Sequence, residues 1–334
     1  MNSTKYIALI AISVFVGFTC LGQENSSFSI SQAKMKDTQG KRFAKEFKYT
    51  KAISKFTEAI DLDHRPEYSI NRANAFMEIQ KLDKARSDFK KAIATDSTMG
   101  LAYLGLAKCL IREDINNDSL NWYLNQALHF CIVNEDQALT ITTLAELKMA
   151  EGDYKLAKNY VVTAHKLDPS NVYTSGVYAR VAFELNEKEK AIEILEGIVE
   201  SNDREIGFLI NLGYLYNNVE RYDDAMKVLE RAIFYEPDNP YVLANFGYTL
   251  FMTRRLEVAK KAVDKSIKND PSNAYGHFVK GLLALDGENV PKACKCFNRA
   301  MDRVQLYNDR SFKEIKEEIK EAVTSNCDSG SRIN

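Results

Sequence analysis

FLINLGYLYNNVERYDDAMKVLERAIFYEPDNP, residues 208–240, holds two amphipathic helical patterns and two turns. Leu209, Leu212, Gly213 and Tyr216 fall on one helical face, and Ala225, Leu229 and Ala232 on a second, at the three- and four-residue spacings of an α-helix. Glu220-Arg221-Tyr222 marks the turn between the two helices. Glu236-Pro237-Asp238 ends the second helix, because proline lacks the N–H that the next turn needs. A two-helix unit of this size cannot cover its own apolar face, so its meaning depends on whether it recurs.

It recurs in phase. The Ala position of the second helix returns as Ala52, Ala85, Leu120, Ala157, Ala191, Ala225, Ala259 and Ala293, with Leu120 the one large occupant and the last five spaced by 34 residues. Four residues beyond each stands a larger apolar side chain: Phe56, Phe89, Leu124, Val161, Leu195, Leu229, Val263 and Phe297. Small residues also punctuate the first helices at Gly40, Ala73, Ala107, Ala145, Ala179, Gly213, Gly247 and Gly281, and Pro169, Pro237 and Pro271 terminate second helices. These residues resemble the tetratricopeptide repeat, whose signature is Trp-x2-Leu-Gly-x2-Tyr, then Ala-x3-Phe, then Pro, over 34 residues. Leu209 replaces the Trp of that signature. The resemblance covers residues 33–306 and implies an all-α, right-handed α-α superhelix of about eight helix-turn-helix repeats.

The spacing widens around the third and fourth repeats. There Asn116-Asn117-Asp118 is expected to lengthen a turn and Val133-Asn134-Glu135-Asp136 a linker. Lys148 stands where the family usually has Tyr. Beyond the array, residues 307–325 read as a capping helix, with Phe312, Ile315, Ile319, Ala322 and Val323 on one face and charged residues around the other. A solenoid needs such an element because its last repeat otherwise exposes a stacking surface. Residues 326–334 read as a polar, disordered tail.

Composition agrees with an ordered array. The 334 residues are 45% hydrophobic and 27% charged, with 15 Gly and 6 Pro to break helices. Residues 1–22 differ from the rest: Lys5, the uncharged run Tyr6–Phe18, then Cys20-Leu21-Gly22 read as a secretory signal peptide, followed by a linker over 23–32. Cleavage after Gly22 would leave Gln23 first, and lipidation of Cys20 is the competing route. The apolar run is too short to span a bilayer, so no transmembrane segment is expected in the mature chain, which is read as exported to the periplasm or outer membrane.

Of 6 Cys, five would survive cleavage, an odd number that argues against a complete disulfide framework. Cys294 and Cys296 lie about 200° apart on a helix, so they read as packing thiols rather than metal ligands.

Net charge is −1, which gives no basic field for nucleic acid. Charge is unevenly placed, however. Residues 34–55 carry eight Lys/Arg against two Asp/Glu, residues 113–153 one against eight, and residues 254–303 eleven against six. Such runs are either solvated helix faces or an electrostatic docking patch. No nucleotide-binding, zinc-protease or nucleophile-elbow motif is present, and the four His are at least 30 residues apart, so neither catalytic residues, metal ligands nor cofactors are expected.

The informative surface is then the inner one. In arrays of this family the first helices line a concave groove. In repeats six to eight the positions not used for packing are Asn211, Tyr214, Asn217, Tyr241, Asn245, Tyr248, Phe251, Tyr275 and Phe278. Aromatic area combined with side-chain amides suits a protein or peptide ligand, whereas packing between neighbouring repeats is the alternative use for the same rings. The resemblance also includes a carboxylate clamp, toward which Lys34, Lys41, Asn71 and Asn74 point, but Asp37 and Ile70 break that pattern. The reading is a non-enzymatic interaction scaffold of the bacterial envelope, with a structural subunit of an envelope assembly as its alternative.

Overall fold

The computed structural model describes residues 27–115, 118–201, 204–306 and 313–327. The signal-peptide reading, Cys20, Gly22, Gln23, Asn116-Asn117, residues 307–312 of the capping segment and the tail from 328 onward lie outside the described residues. Every described element is an α-helix, and the chain divides into two compact units, residues 1–169 and 170–334.

The first unit holds α1 (27–45), α2 (Tyr49–Leu62), α3 (Pro66–Glu78), α4 (Leu82–Thr95), α5 (Gly100–Arg112), α6 (Asp118–Phe130), α7 (Asn134–Glu151) and α8 (Tyr154–Leu167). The second holds α9 (Val172–Glu184), α10 (Lys188–Ser201), α11 (Ile206–Asn218), α12 (Tyr222–Tyr235), α13 (Pro240–Met252), α14 (Leu256–Asn269), α15 (Ala274–Asp286), α16 (Val290–Leu306) and α17 (Lys313–Asn326). Within each unit consecutive helices pack in sequence. Odd-numbered helices also touch one another, α3 on α5 on α7 and α11 on α13 on α15, and so form one layer.

Packing follows the periodic positions. Ala52, Ala59, Ala85, Phe89, Ala92, Ala225, Leu229, Ala232, Ala293, Phe297 and Ala300 are essentially inaccessible. The small residue of a first helix meets the large one sixteen positions later. A Cβ on Gly281 would sit 2.3 Å from Phe297, and one on Gly213 would sit 2.7 Å from Leu229. These contacts explain why glycine occupies both positions: a side chain there would have to push the helix pair apart.

Helix ends are set locally. Pro240 occupies the first turn of α13, where its missing N–H costs nothing, and Asn239 Oδ1 accepts from the Tyr241 and Val242 amides. Asn171 and Asn273 do the same for α9 and α15. Each hairpin turn places one residue in the left-handed region. Only the α7–α8 turn uses glycine there, Gly152; the others use Phe47, Gln80, Asp114, Asn186, Glu220, Arg254 and Glu288. The amide of the following residue then reaches back into the preceding helix, as Arg221 N does to Tyr216 O at 2.8 Å, closing a Schellman-type turn without glycine.

The structure corrects four expectations. Asn326 and Cys327, read as the start of a disordered tail, are the last residue of α17 and a disulfide-bonded cysteine. Residues 27–32, read as linker, already belong to α1, and Ala33 in its second turn is fully buried in a cluster with Ala59 of α2 and Tyr68 of α3. Asn134, Glu135 and Asp136 are not a longer linker but the first turn of an 18-residue α7, where acidic side chains oppose the helix dipole. Cys294 is not a packing thiol. It forms a disulfide with Cys327 across a Cα–Cα distance of 5.6 Å, while Cys109, Cys131 and Cys296 remain buried thiols.

Candidate partner-binding surfaces

The aromatic residues singled out in repeats six to eight do converge, but mostly inward. Tyr214 meets Tyr275 edge-on at 5.9 Å between ring centroids, Tyr275 lies 5.9 Å from Tyr248 and 6.0 Å from Phe278, and Phe278 lies 6.0 Å from Phe297. Tyr275 keeps 7% of its surface and Phe278 is likewise buried. Asn217 and Asn245 are buried as well. Asn217 accepts from the Thr249 hydroxyl at 2.9 Å, and Asn245 Nδ2 donates to the Tyr241 carbonyl at 3.0 Å. Tyr275, Phe278 and Asn217 thus pack between repeats, while Asn245 is buried against its own helix. Tyr214, Tyr248 and Phe251 are half-buried; Asn211 and Tyr241 are exposed.

What closes this face is the chain's own α17. Ile319 is fully buried in the same apolar cluster as Tyr275, Phe278 and Phe297, with Ile315, Ala322, Val323, Tyr214 and Tyr248 at its margin. Burial pushes the Tyr248 phenol up to about 12, and the Glu318 carboxylate of α17 adds to the shift. Burial, then Tyr248, then Glu318 raise Tyr275 in the same direction.

An open concavity lies elsewhere, in the first unit, where α1, α3 and α5 present their inner faces. It is a cleft of about 810 Å³ with an apolar floor of Ala44, Tyr49, Phe56, Ala75 and Met77. Its rim carries five cations, Lys41, Arg42, Lys45, Lys108 and Arg112, against one carboxylate, Glu78, and adds the amides of Asn71 and Asn74. Helical spacing puts Lys41 and Lys45 one turn apart on α1, and Lys108 and Arg112 one turn apart on α5.

Several of these groups are anchored by neighbours. Arg112 donates to the Met77 carbonyl at 2.6 Å and to Glu78 Oε1 at 2.9 Å. Asp37, withdrawn from solvent, pairs with Lys41 at 2.7 Å and accepts from Asn71 Nδ2 at 2.7 Å. Burial lowers the Lys108 pKa, while the Glu146 carboxylate opposes that shift.

The basic excess over 34–55 anticipates the α1 side of this cleft. Lys108 and Arg112 were not anticipated; their signal was two cations, one turn apart, in an otherwise apolar helix. Among the described residues no cluster of His, Cys, Asp and Glu could hold a metal ion, and no helix is long and apolar enough to cross a membrane.

Two family models, each described as Tetratricopeptide repeat, match residues 148–206 and 206–239. Among curated proteins, the anaphase-promoting complex subunit CDC16 of Saccharomyces cerevisiae is 22% identical over 204 residues, covering 50% of this chain and 24% of that one. Human DnaJ homolog subfamily C member 7 is 24% identical over 178 residues, covering 49% of this chain and 36% of that one. The alignments thus span only a quarter to about a third of these relatives. Among solved structures, the anaphase-promoting complex hetero-tetramer Cut9-Hcn1 superposes with a TM-score of 0.55 at 14% identity, over 70% of this chain and 52% of that one. Pseudomonas aeruginosa pilF does so at 0.51 and 19%, over 67% and 98%. At these identities the likeness establishes the fold.

Proposed function

Because the chain is a tetratricopeptide-repeat protein, we propose that it is a non-catalytic interaction scaffold whose α1–α3–α5 cleft takes an acidic segment of a partner protein. The observation that carries this reading is the rim of five cations against one carboxylate above an apolar floor. An extended acidic segment with an apolar anchor meets both features. Its carboxylates gain charge-assisted hydrogen bonds from Lys and Arg, its backbone can pair with the Asn71 and Asn74 amides, and its apolar side chain covers the floor.

The direct test is fluorescence anisotropy with three labelled decapeptides that share one Leu anchor: Glu-rich, Gln-rich and Lys-rich. Binding in the order Glu over Gln over Lys, weakening as salt rises, is expected. Equal binding of all three sinks the acidic-segment reading.

We further propose that the protein works outside the cytoplasm. Lys5 followed by Tyr6–Phe18 motivates this, and the Cys294–Cys327 bond supports it, because such bonds persist mainly in oxidising compartments. Mass analysis of the native N-terminus should find Gln23. An acylated Cys20 would instead indicate a lipoprotein, and retention of Met1 would remove the export argument.

A further inference from the structure

The aromatic face of the second unit is covered by a helix that packing alone holds poorly. Seven of the fourteen residues of α17 are charged, and a helix of this length is marginal in water when undocked. Among its described side chains only Ile319 is fully buried; Ile315, Ala322 and Val323 are partly so. The far end of α17 is fastened by the Cys294–Cys327 bond to the start of α16, across 33 residues of chain. Both cysteines are half-buried, so the bond is not sealed inside the core.

We propose that α17 is a redox-held occupant of the aromatic face, and that opening the Cys294–Cys327 bond yields this face to an amphipathic helix of a partner protein. The chemistry of that helix is given by the one it replaces. Apolar residues at i, i+4, i+7 and i+8 would occupy the places of Ile315, Ile319, Ala322 and Val323, and a carboxylate at i+3 would stand where Glu318 influences the Tyr248 and Tyr275 phenols. The step is a thiol–disulfide exchange with a dithiol reductant. One thiolate attacks a bridge sulfur and forms a mixed disulfide, and the second displaces it. Cys294 and Cys327 leave as thiols after gaining two electrons and two protons, and the reductant leaves as its own disulfide. Release of a cross-link over a loop of this length should raise the frequency of α17 opening on the order of a hundredfold. This inference is independent of the cleft in the first unit.

The test uses the full chain, oxidised and reduced, together with the Cys327→Ser variant, which leaves α16 untouched. Two readouts apply: hydrogen exchange of the amides in 313–326, and anisotropy of a fluorescein-labelled peptide with the sequence of residues 313–326. Expected are fast exchange and peptide binding in the reduced chain and in Cys327→Ser, with slow exchange and no binding in the oxidised chain. Equal exchange in all three forms would overturn the proposal, as would failure of the peptide to bind the reduced chain. Global loss of helicity in both bridge-free forms would also overturn it, since the bond would then be a staple of the fold. So would free thiols at Cys294 and Cys327 in protein equilibrated with oxidised glutathione.

Discussion

The cleft of α1, α3 and α5 and the aromatic face of α13 and α15 are built on one plan and present opposite surfaces. Both are formed by the first helices of successive repeats, and both rest on the same contact between a small residue and a large one. In the cleft Gly40 faces Phe56, and under the aromatic face Gly281 faces Phe297. The scaffold positions are thus spent in the same way in each. What differs is the residues left over. In the first unit these are Lys and Arg, which line the rim of a cleft and leave it open; in the second they are Tyr and Phe, which stack and draw a helix over themselves. The repeat signature fixes the backbone and says nothing about which of these outcomes follows.

The largest effect that separates the two regions should come from overpacking their floors one at a time. Gly40→Leu forces a side chain into space held by Phe56, a cleft residue, at a cost of about 1–3 kcal/mol. It should lower the melting temperature and abolish binding of the Glu-rich peptide together. Gly281→Leu should destabilise by a similar amount through Phe297 yet leave that binding intact. If both variants lose the peptide equally, the ligand does not sit in the cleft.

Next in size is charge reversal at the rim. Arg42→Glu with Lys45→Glu should weaken the Glu-rich peptide by roughly tenfold or more without changing the circular dichroism spectrum. Tyr248→Ala should leave its affinity unchanged. The opposite pattern would return the binding site to the aromatic face.

A smaller effect concerns alkaline stability. Burial raises the Tyr248 phenol to about 12, above its unfolded value near 10, so its contribution is fully present below about pH 10 and is lost as pH rises toward 12. Chemical denaturation followed across that window should show the decline, and Tyr248→Phe should flatten it. An unchanged slope in the variant would mean that other groups dominate.

The smallest effect is at a turn. Glu288 holds φ at 56°, a region that costs a side-chain-bearing residue energy and glycine little. Glu288→Gly should therefore stabilise by about 1 kcal/mol or less, read as a rise in denaturation midpoint; a fall would show that its side chain matters more than its backbone.

Much of the fold was legible because close packing constrains residue size at fixed spacing. Gly213, Ala225 and Leu229 announce a helix pair before any coordinates, and Pro237 announces its end. The turns were less legible, since their left-handed position is occupied by Gln80, Glu220 or Arg254 and carries no glycine signal. The disulfide was hidden for another reason: Cys294 was weighed against its near neighbour Cys296, whereas its partner Cys327 follows a charged helix in a segment read as tail. The aromatic residues were found, with packing between repeats as their alternative use; their cover by α17 was not. An aromatic stripe looks the same in sequence whether it awaits a ligand or already holds α17. The cleft was half legible, through the excess of Lys and Arg in 34–55 but not through Lys108 and Arg112, which only the stacking of α5 beside α3 brings to the same rim.

The bridge between Cys294 and Cys327 also changes how the molecule would respond to pulling. A chain held by its two ends transmits tension through the covalent bond and not through the 33 residues it spans. That segment, which contains most of α16 and all of α17, is taken out of the load path. When the bond is closed, the stretched length should be shorter by about 110 Å than when it is open. In a single-molecule tether the redox state of one sulfur pair would be read directly as a change in length.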